Sequence, residues 1–480
     1  GKYFESLNIS FEIYIPDRKN EGFGPNEKGF LQFINLGVNL IFTVDCGTLS
    51  YGPMDFAKKR NIDVIILDHH QSETRLPSAH SIVNPNRFDD RSELNYLCAA
   101  GVSFMFLVAL NKRLRDQNWF VDNSIKEPEL MNILDLVSLG TVCDVVPLIG
   151  LNRAIVHQGL KILKRKKNLG LKTLIEISNI ECNITSYHLG YVLGPRINAG
   201  GRVGKSTHGA NLLLNQSPKD TFKLAADLNT YNKERQILES ELLKKIMNIE
   251  FKNSIEPVII LHGENWHEGI IGIIAARIKE KFNKPAIIIS INKGIGKGSG
   301  RSIHGFDLGS TIINAVQSDI LIKGGGHKMA AGFTIDADKI GEFKEFVFRK
   351  FKSINVNLEE KINYYFDAEI APSAINIDFF EKVNLLAPFG SGNPEPRFVI
   401  RDVKLVNSKI VGEKHVKNIL VGSDSTTLKT ISFNSVETQL GAHLLQKNIK
   451  PFDIAGKLSL NEWRGQRNVE FIIDDISVTK

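Results

Sequence analysis

The sequence predicts an α/β protein with four parts in order. These are a parallel doubly wound first block, a long connecting helix, a smaller second α/β block and a C-terminal β-barrel or sandwich. Three observations predict it. Short, near-continuously apolar runs alternate with helical patterns early in the chain, as strands covered on both faces should. One long stretch, Asp220–Phe251, repeats apolar residues at helical spacing. From about Lys361 onward, short turn-bounded strand patterns take over.

In the first block, Ser10–Ile15, Asn39–Val44 and Asp63–Leu67 read as strands rich in Ile, Val and Phe. Glu27–Leu36 and Gly52–Arg60 read as the helices between them, and that βαβ alternation implies a parallel sheet. Residues 99–117 and 127–140 are longer helical patterns. In Asp220–Phe251, Leu224, Leu228, Tyr231, Leu238, Leu242, Ile246 and Ile249 recur three, four and seven residues apart. A helix of ~30 residues spans about 45 Å, enough to hold two domains apart, although an ordinary packing helix shows the same periodicity. Pro257–Leu261 and Pro285–Ser290 read as strands flanking a helix, Gly269–Phe282, and a glycine-rich loop follows at Gly324–His327. The closing β pattern runs through Arg397–Ile400, Val403–Val406, Asn418–Val421, Thr430–Phe433, Ile454–Leu460 and Val469–Ile473.

Composition excludes several classes. A chain of 480 residues with 42% hydrophobic and 24% charged residues folds into domains rather than staying disordered. No apolar run approaches the ~18–20 residues of a membrane span. Four cysteines without a Cys-x-x-Cys pair argue against a disulfide framework or a cysteine zinc site, and they fit a reducing cytoplasm. The net charge of +7 is uneven: residues 1–150 carry −5 and residues 151–255 carry +9. That contrast suggests a cation site beside a polyanion site. Chance clustering of solvated lysines such as Lys164–Lys167 is the plain alternative.

Asp45 directly follows one predicted strand, and Asp68, His69 and His70 directly follow the next. Ligands in parallel α/β sheets bind beyond the carboxyl ends of strands, so both sets reach one rim. Asp144 lies just past a predicted helix. Carboxylates and imidazoles gathered at one point need a cation, and an oxygen-plus-imidazole set suits manganese or magnesium. Taken singly, each Asp reads as a turn former or cap. Cys46 and Cys143 read as buried fillers beside these carboxylates.

Gly298–Ser299–Gly300–Arg301–Ser302 combines glycines, hydroxyls and a guanidinium, the chemistry that holds phosphate. Gly324–Gly325–Gly326–His327 has the same character. Either alone is an ordinary tight turn; two in one domain point to an anion. Arg196, Asn198 and Arg202 sit on a Gly/Pro-punctuated loop in the most basic block, where they suit backbone contacts to a nucleic acid or stand as solvated surface residues. Arg18 follows the first predicted strand, with an ion pair to Asp17 or Glu21 as its plain reading. Trp266–Gly269 precedes a helix whose amides could face an anion, although a simple cap explains it.

Together these segments resemble the RecJ-type single-stranded-DNA exonucleases of the DHH/DHHA1 phosphoesterase superfamily. They are Tyr14–Arg18 with Gly22–Gly24, Thr43–Gly47, Asp68–His70, Ser138–Leu148, Leu193–Arg202, Trp266–Gly272, Gly298–Ser302, Gly324–Gly332, Ala387–Pro396 and Asn461–Gly465. Each is weak alone, and the ordered set is specific. The resemblance implies a DHH domain over 1–215, a connecting helix over 216–256, a DHHA1 domain over 257–355 and an oligonucleotide-binding (OB) barrel over 361–480. It implies stepwise 5′-to-3′ hydrolysis of single-stranded DNA to 5′-mononucleotides with two Mn²⁺ or Mg²⁺ ions.

By that resemblance Asp45, His69 and Asp144 bind metal, and Asp68 and His70 support them. His327 contacts the scissile phosphate. Arg18, Ser299 and Arg301 hold the terminal 5′ phosphate or the nearby backbone, and Arg196, Asn198 and Arg202 grip the strand. Trp463 would serve as a stacking platform or as barrel core. A monomer in the cytoplasm is expected, with single-strand-binding protein and a helicase as partners and no membrane. A phosphodiesterase for short oligoribonucleotides or cyclic dinucleotides, or a DNA-binding scaffold without catalysis, are the alternatives. The extra barrel argues against the first, and the Asp45–His69–His70–Asp144 set against the second. The family's Asp-x-Asp-x-Asp-Gly motif is absent from the thirteen residues before Tyr14, so a fragment with an open gap in its sheet is expected.

Overall fold

The computed structural model describes residues 1–17, 21–22, 24–247, 256–354, 363–446, 450–463 and 466–478. Arg18 lies outside them, as does the side chain of Trp463. The chain divides into two compact units. One comprises Gly1–Cys143, Lys161–Ile184 and His188–Lys361; the other comprises Asp144–Leu160, Thr185–Tyr187 and Ile362–Lys480.

The first unit opens with a parallel sheet of β1 (Leu40–Val44), β2 (Asp63–Leu67) and β3 (Ser81–Val83), in that order. Helices α1 (Glu27–Asn35) and α2 (Tyr51–Lys58) cover one face, where Phe30, Met54 and Ala57 meet Ile41, Val64 and Ile66. Phe42 points to the other face and meets Phe106 of α3 (Ala99–Asp116) at 5.8 Å. The sheet is therefore wound on both sides, as the continuous apolar runs predict. Ser10–Ile15 forms no strand; it is irregular chain. Its Tyr14 instead packs a ring over Gly29 of α1, where a Cβ would lie 2.6 Å away. Among the described residues β1 is an edge strand, with Leu40 and Val44 exposed.

Helix α4 (Leu134–Cys143) is followed, further along, by α5 (Gly194–Val203). The latter corrects the expected Gly/Pro loop. Pro195 sits in the first turn, where a missing N–H costs nothing, and Gly200 lets the helix approach Lys205 and Leu228. The long helix α6 (Pro218–Met247) packs Leu228 and Leu242 inward and Glu234 outward. The end of the predicted stretch, beyond Met247, falls outside the described residues.

A mixed five-stranded sheet completes this unit: β4 (Ile259–Glu264), β5 (Ala286–Asn292), β6 (Ile295–Arg301), β7 (Lys323–His327) and β8 (Ala330–Asp336), in the order β4-β5-β6-β8-β7. Helix α7 (Ile271–Phe282) packs on one face through Ile274 and Ile278. Helices α8 (Leu308–Gln317) and α9 (Ile340–Lys352) pack on the other through Ile312 and Phe343. Both glycine-rich loops expected from the sequence are strands. The reason is packing: a Cβ on Gly298 would lie 2.1 Å from the Phe333 ring, and one on Gly324 would lie 2.7 Å from Ile312. Gly298→Ala should cost about 1–3 kcal/mol, the usual range for overpacking. Urea unfolding checks this, and an unchanged midpoint would show that the aromatic gives way freely.

In the second unit β10 (Phe398–Val411), β11 (His415–Val421), β12 (Thr427–Ser432), β13 (Phe452–Trp463) and β14 (Gln466–Val478) close a barrel, with β9 (Ala368–Glu369) added on β10. Phe398, Val403, Leu420, Phe452 and Phe471 fill it. Arg397–Ile400 and Val403–Val406 read as two strands in the sequence but form one. The chain slips register between Ile400 and Val403, where Asp402 holds φ +50 and its N–H donates to Asp453 Oδ1 at 3.0 Å. The bulge bends β10 so that it pairs with β13 first and β11 later. Asp144–Leu160 joins this unit through Leu148 N–H to Ser391 O at 2.7 Å and Arg153 Nη2 to Leu386 O at 2.8 Å. Among the described residues no helix is long and apolar enough to cross a membrane.

Candidate active site

The carboxyl ends of β1 and β2 place Asp45 and Asp68–His70 side by side, because Asp45 N–H donates to Leu67 O at 3.0 Å across the strand pair. Asp45 holds φ +62, a left-handed conformation that Asp tolerates better than most residues. Its Oδ1 lies 3.2 Å from His69 Nε2. Ligand atoms of Asp45, His69 and His70 lie within 4.8 Å of one another. One carboxylate and two imidazoles at that spacing suit a borderline or hard divalent cation.

Asp68 holds this set in place. It is buried, and its Oδ1 accepts from His69 N–H at 2.8 Å and pairs with His70 Nδ1 at 2.7 Å. Thr48 N–H donates to its Oδ2 at 3.1 Å. Burial by itself would raise the Asp68 carboxyl, but the hydrogen bonds from His70 and Thr48 outweigh it and hold it well below the usual carboxylate range. Its stabilising contribution is therefore full above the ordinary value of 3.8 and is withdrawn as pH falls through the depressed value. Asp68→Asn should weaken Mn²⁺ affinity about 10–100-fold, as loss of an outer partner to a ligating histidine does. Calorimetric titration checks this; unchanged affinity would remove Asp68 from the site.

Sequence reasoning missed the next layer. Asn84 Nδ2 donates to His70 O at 2.8 Å and to Thr48 Oγ1 at 2.9 Å, and Asn86 Nδ2 donates to His69 O at 2.6 Å. The signal was available, since Asn84 directly follows β3 just as Asp45 and Asp68 follow β1 and β2. The strand Ser81–Val83 was too short to register. Cys46 is half-buried and Cys143 exposed, so neither is a fully buried filler. Burial first, and then the Asp68 and Asp45 charges, push the Cys46 thiol up to about 12, which keeps it protonated.

His327, at the end of β7, stacks on His70 with ring centroids 6.1 Å apart and planes 15° apart. Arg301 is opposite Ala330, which is opposite His327, so the three share one cross-strand row. Arg301 Nη1 donates to Ser299 Oγ at 3.3 Å and to Gly300 O at 2.8 Å. Burial lowers the Arg301 pKa from its ordinary value. Gly272, in the first turn of α7, leaves room for both side chains; a Cβ there would lie 2.9 Å from Ser299 Oγ and 3.2 Å from Arg301 Nη2. A guanidinium, a hydroxyl and a helix N-terminus thus face one cavity of about 1410 Å³.

Helix α5 spreads the three residues that the sequence grouped. Arg202 reaches the cavity and donates to Gly269 O at 2.9 Å. Arg196 turns onto α6, where it donates to Asn229 Oδ1 at 3.1 Å, and burial lowers its pKa. Asn198 is exposed. Asp144 is the exposed first residue of the second unit, followed by Val145 at φ +61, a strained conformation for a β-branched residue. Arg18 is not described.

The family described as "DHH family, N-terminal domain" matches residues 2–141, "DHHA1 domain" matches 256–353 and "RecJ OB domain" matches 366–475. The single-stranded-DNA-specific exonuclease RecJ of Dickeya dadantii is 34% identical, over 97% of this chain and 82% of that protein. Its counterpart from Salmonella typhimurium is also 34% identical, over 98% of this chain and 82% of that protein. The crystal structure of RecJ in complex with Mn²⁺ from Thermus thermophilus is similar over 100% of this chain and 66% of that one. Its TM-score is 0.81 and its identity 26%.

Proposed function

The chain belongs to the family of RecJ single-stranded-DNA-specific exonucleases, and from that premise we propose that it removes 5′-mononucleotides stepwise from the 5′ end of single-stranded DNA. The observation that carries the reading is the stacking of His327 on His70, which joins the anion-binding face of one sheet to the acidic and imidazole cluster of another. The domain order is 1–215, 216–256, 257–355 and 361–480.

Asp45 and His69 hold divalent metal, Mn²⁺ or Mg²⁺, with Asp144 as a further ligand on the strength of the resemblance alone. When bound, two such ions supply Lewis acidity at the phosphodiester. The chain's own residues do the rest. Asp68 fixes the His70 ring. His327 donates a hydrogen bond to a non-bridging oxygen of the scissile phosphate and so favours the crowded, more negative transition state. Ser299 and Arg301 hold the terminal phosphate, which sets the cut one nucleotide from the end, with Arg18 as a further contact by family likeness. Arg202 contacts the following backbone, with Arg196 and Asn198, earlier on α5, as further contacts by family likeness alone. The barrel binds single-stranded DNA. A cytoplasmic location rests on cysteine usage in the sequence. A monomer with single-strand-binding protein and a helicase as partners rests on the family alone.

The test supplies a 5′-phosphorylated 40-mer, a blunt duplex of the same sequence and a dinucleotide, with and without Mn²⁺. It uses the full 480-residue chain. Mononucleotide release from the single strand alone supports the reading. Equal digestion of the duplex, or turnover of the dinucleotide only, overturns it.

A further inference from the structure

The face of the β6-β8-β7 sheet that lines the cavity carries three cross-strand rows. The first is Arg301–Ala330–His327, and the second is Ser299–Gly332–Gly325. The third is Lys297–Thr334–Lys323, one pleat further on, or about 6.8 Å along the strand. The proposed reaction uses the first two rows. The third also lines the cavity and has no part in it.

Its position relative to the others decides what it can bind. A strand whose terminal phosphate rests on Ser299 and Arg301 runs toward His327 and the cluster at His70. The lysine row lies on the opposite side of Ser299, past the 5′ end, where no nucleotide follows. Only a group attached to the terminal phosphate itself reaches that place. Gly325 has nothing within 4 Å of a Cβ built on it, and Gly332 meets only a carbonyl at 3.7 Å, so the path between the rows is open.

The charge is suited to an anion. Among the described residues no acidic partner pairs with the Lys323 ammonium. Lys297 is held over the cavity by Glu268, at 2.7 Å. Of the charged residues lining the cavity, Arg202, Lys245, Lys297, Arg301 and Lys323 stand against Glu21, Glu241 and Glu268, which leaves a net charge of +2.

We propose that Lys297, Thr334 and Lys323 form a subsite for further phosphoryl groups on the 5′ end, so that the cavity accepts a 5′-triphosphate as well as a monophosphate. The lysines are flexible point charges that reach successive phosphoryl oxygens, and the Thr334 hydroxyl donates between them. This rests on the terminal phosphate lying at Ser299 and Arg301, as proposed above.

The experiment measures binding of the full chain in EDTA to a 3′-labelled short oligodeoxynucleotide. The strand ends in a 5′-hydroxyl, a 5′-monophosphate or a 5′-triphosphate, and the readout is fluorescence anisotropy. The triphosphate strand should bind about tenfold more tightly than the monophosphate strand, the usual gain from a charge-assisted contact. The double variant Lys297→Ala/Lys323→Ala should lose that advantage while binding the monophosphate strand within about twofold of the wild type. Glu268→Gln should increase the advantage. Equal affinity for the two phosphorylated ends in the wild type overturns the subsite. So does a double variant that weakens both ends alike, which would make the lysines general strand contacts. A monophosphate strand that binds no better than the hydroxyl strand, with the triphosphate preference intact, would overturn the Ser299–Arg301 clasp and keep the subsite. Free tripolyphosphate that displaces the triphosphate strand assigns the row to the anion itself, and failure to displace assigns it to strand ends; either outcome supports the subsite.

Discussion

Asp45→Asn reduces Mn²⁺-dependent release of mononucleotides about 1,000-fold and leaves the thermal midpoint nearly unchanged. The magnitude follows from the several kcal/mol that metal supplies to a phosphodiester transition state. Asparagine is the informative replacement. It keeps the shape and accepts the left-handed backbone at φ +62, so the fold is spared and only the charge facing His69 is lost. Initial rates on a 5′-phosphorylated strand, with circular dichroism melting alongside, check it. Activity within tenfold of the wild type would move the metal away from the β1 end.

Arg301→Ala raises KM for a 5′-phosphorylated strand about 100-fold, because a paired charge-assisted contact from a partly buried guanidinium is lost. A strand with a 5′-hydroxyl should suffer far less. Arg301→Lys should recover little of the loss, since an ammonium does not reproduce the guanidinium fork. The neighbouring Ser299 is positioned by the same guanidinium, at 3.3 Å, so the two deletions should be less than additive. Equal losses on both ends of substrate would show that Arg301 supports the sheet rather than the phosphate.

The sequence made the first rim legible because one rule covers it. β2 spans the predicted residues, Asp63–Leu67, and Asp68, His69 and His70 follow it as expected. The same rule reaches Asn84 only if a three-residue strand, Ser81–Val83, is recognised, and nothing in so short a run announces one. The glycine-rich segments were misread for the opposite reason. Gly298, Gly300 and Gly324 look like turn residues by propensity, yet aromatic and aliphatic side chains of the neighbouring elements occupy the space their Cβ atoms would need. Such contacts come from distant parts of the chain and leave no local trace. The helix at Gly194–Val203 was hidden likewise, because Pro195 and the paired glycines suggest a break where tertiary packing makes a helix.

Gly325 and Gly332 have a consequence for selectivity. They put no side-chain donor or acceptor on the floor between the Ser299 and Lys297 rows, and their backbone amides are engaged in the β7–β8 ladder. This stretch of floor therefore reads no base, and it adds no preference between a purine and a pyrimidine at the 5′ end.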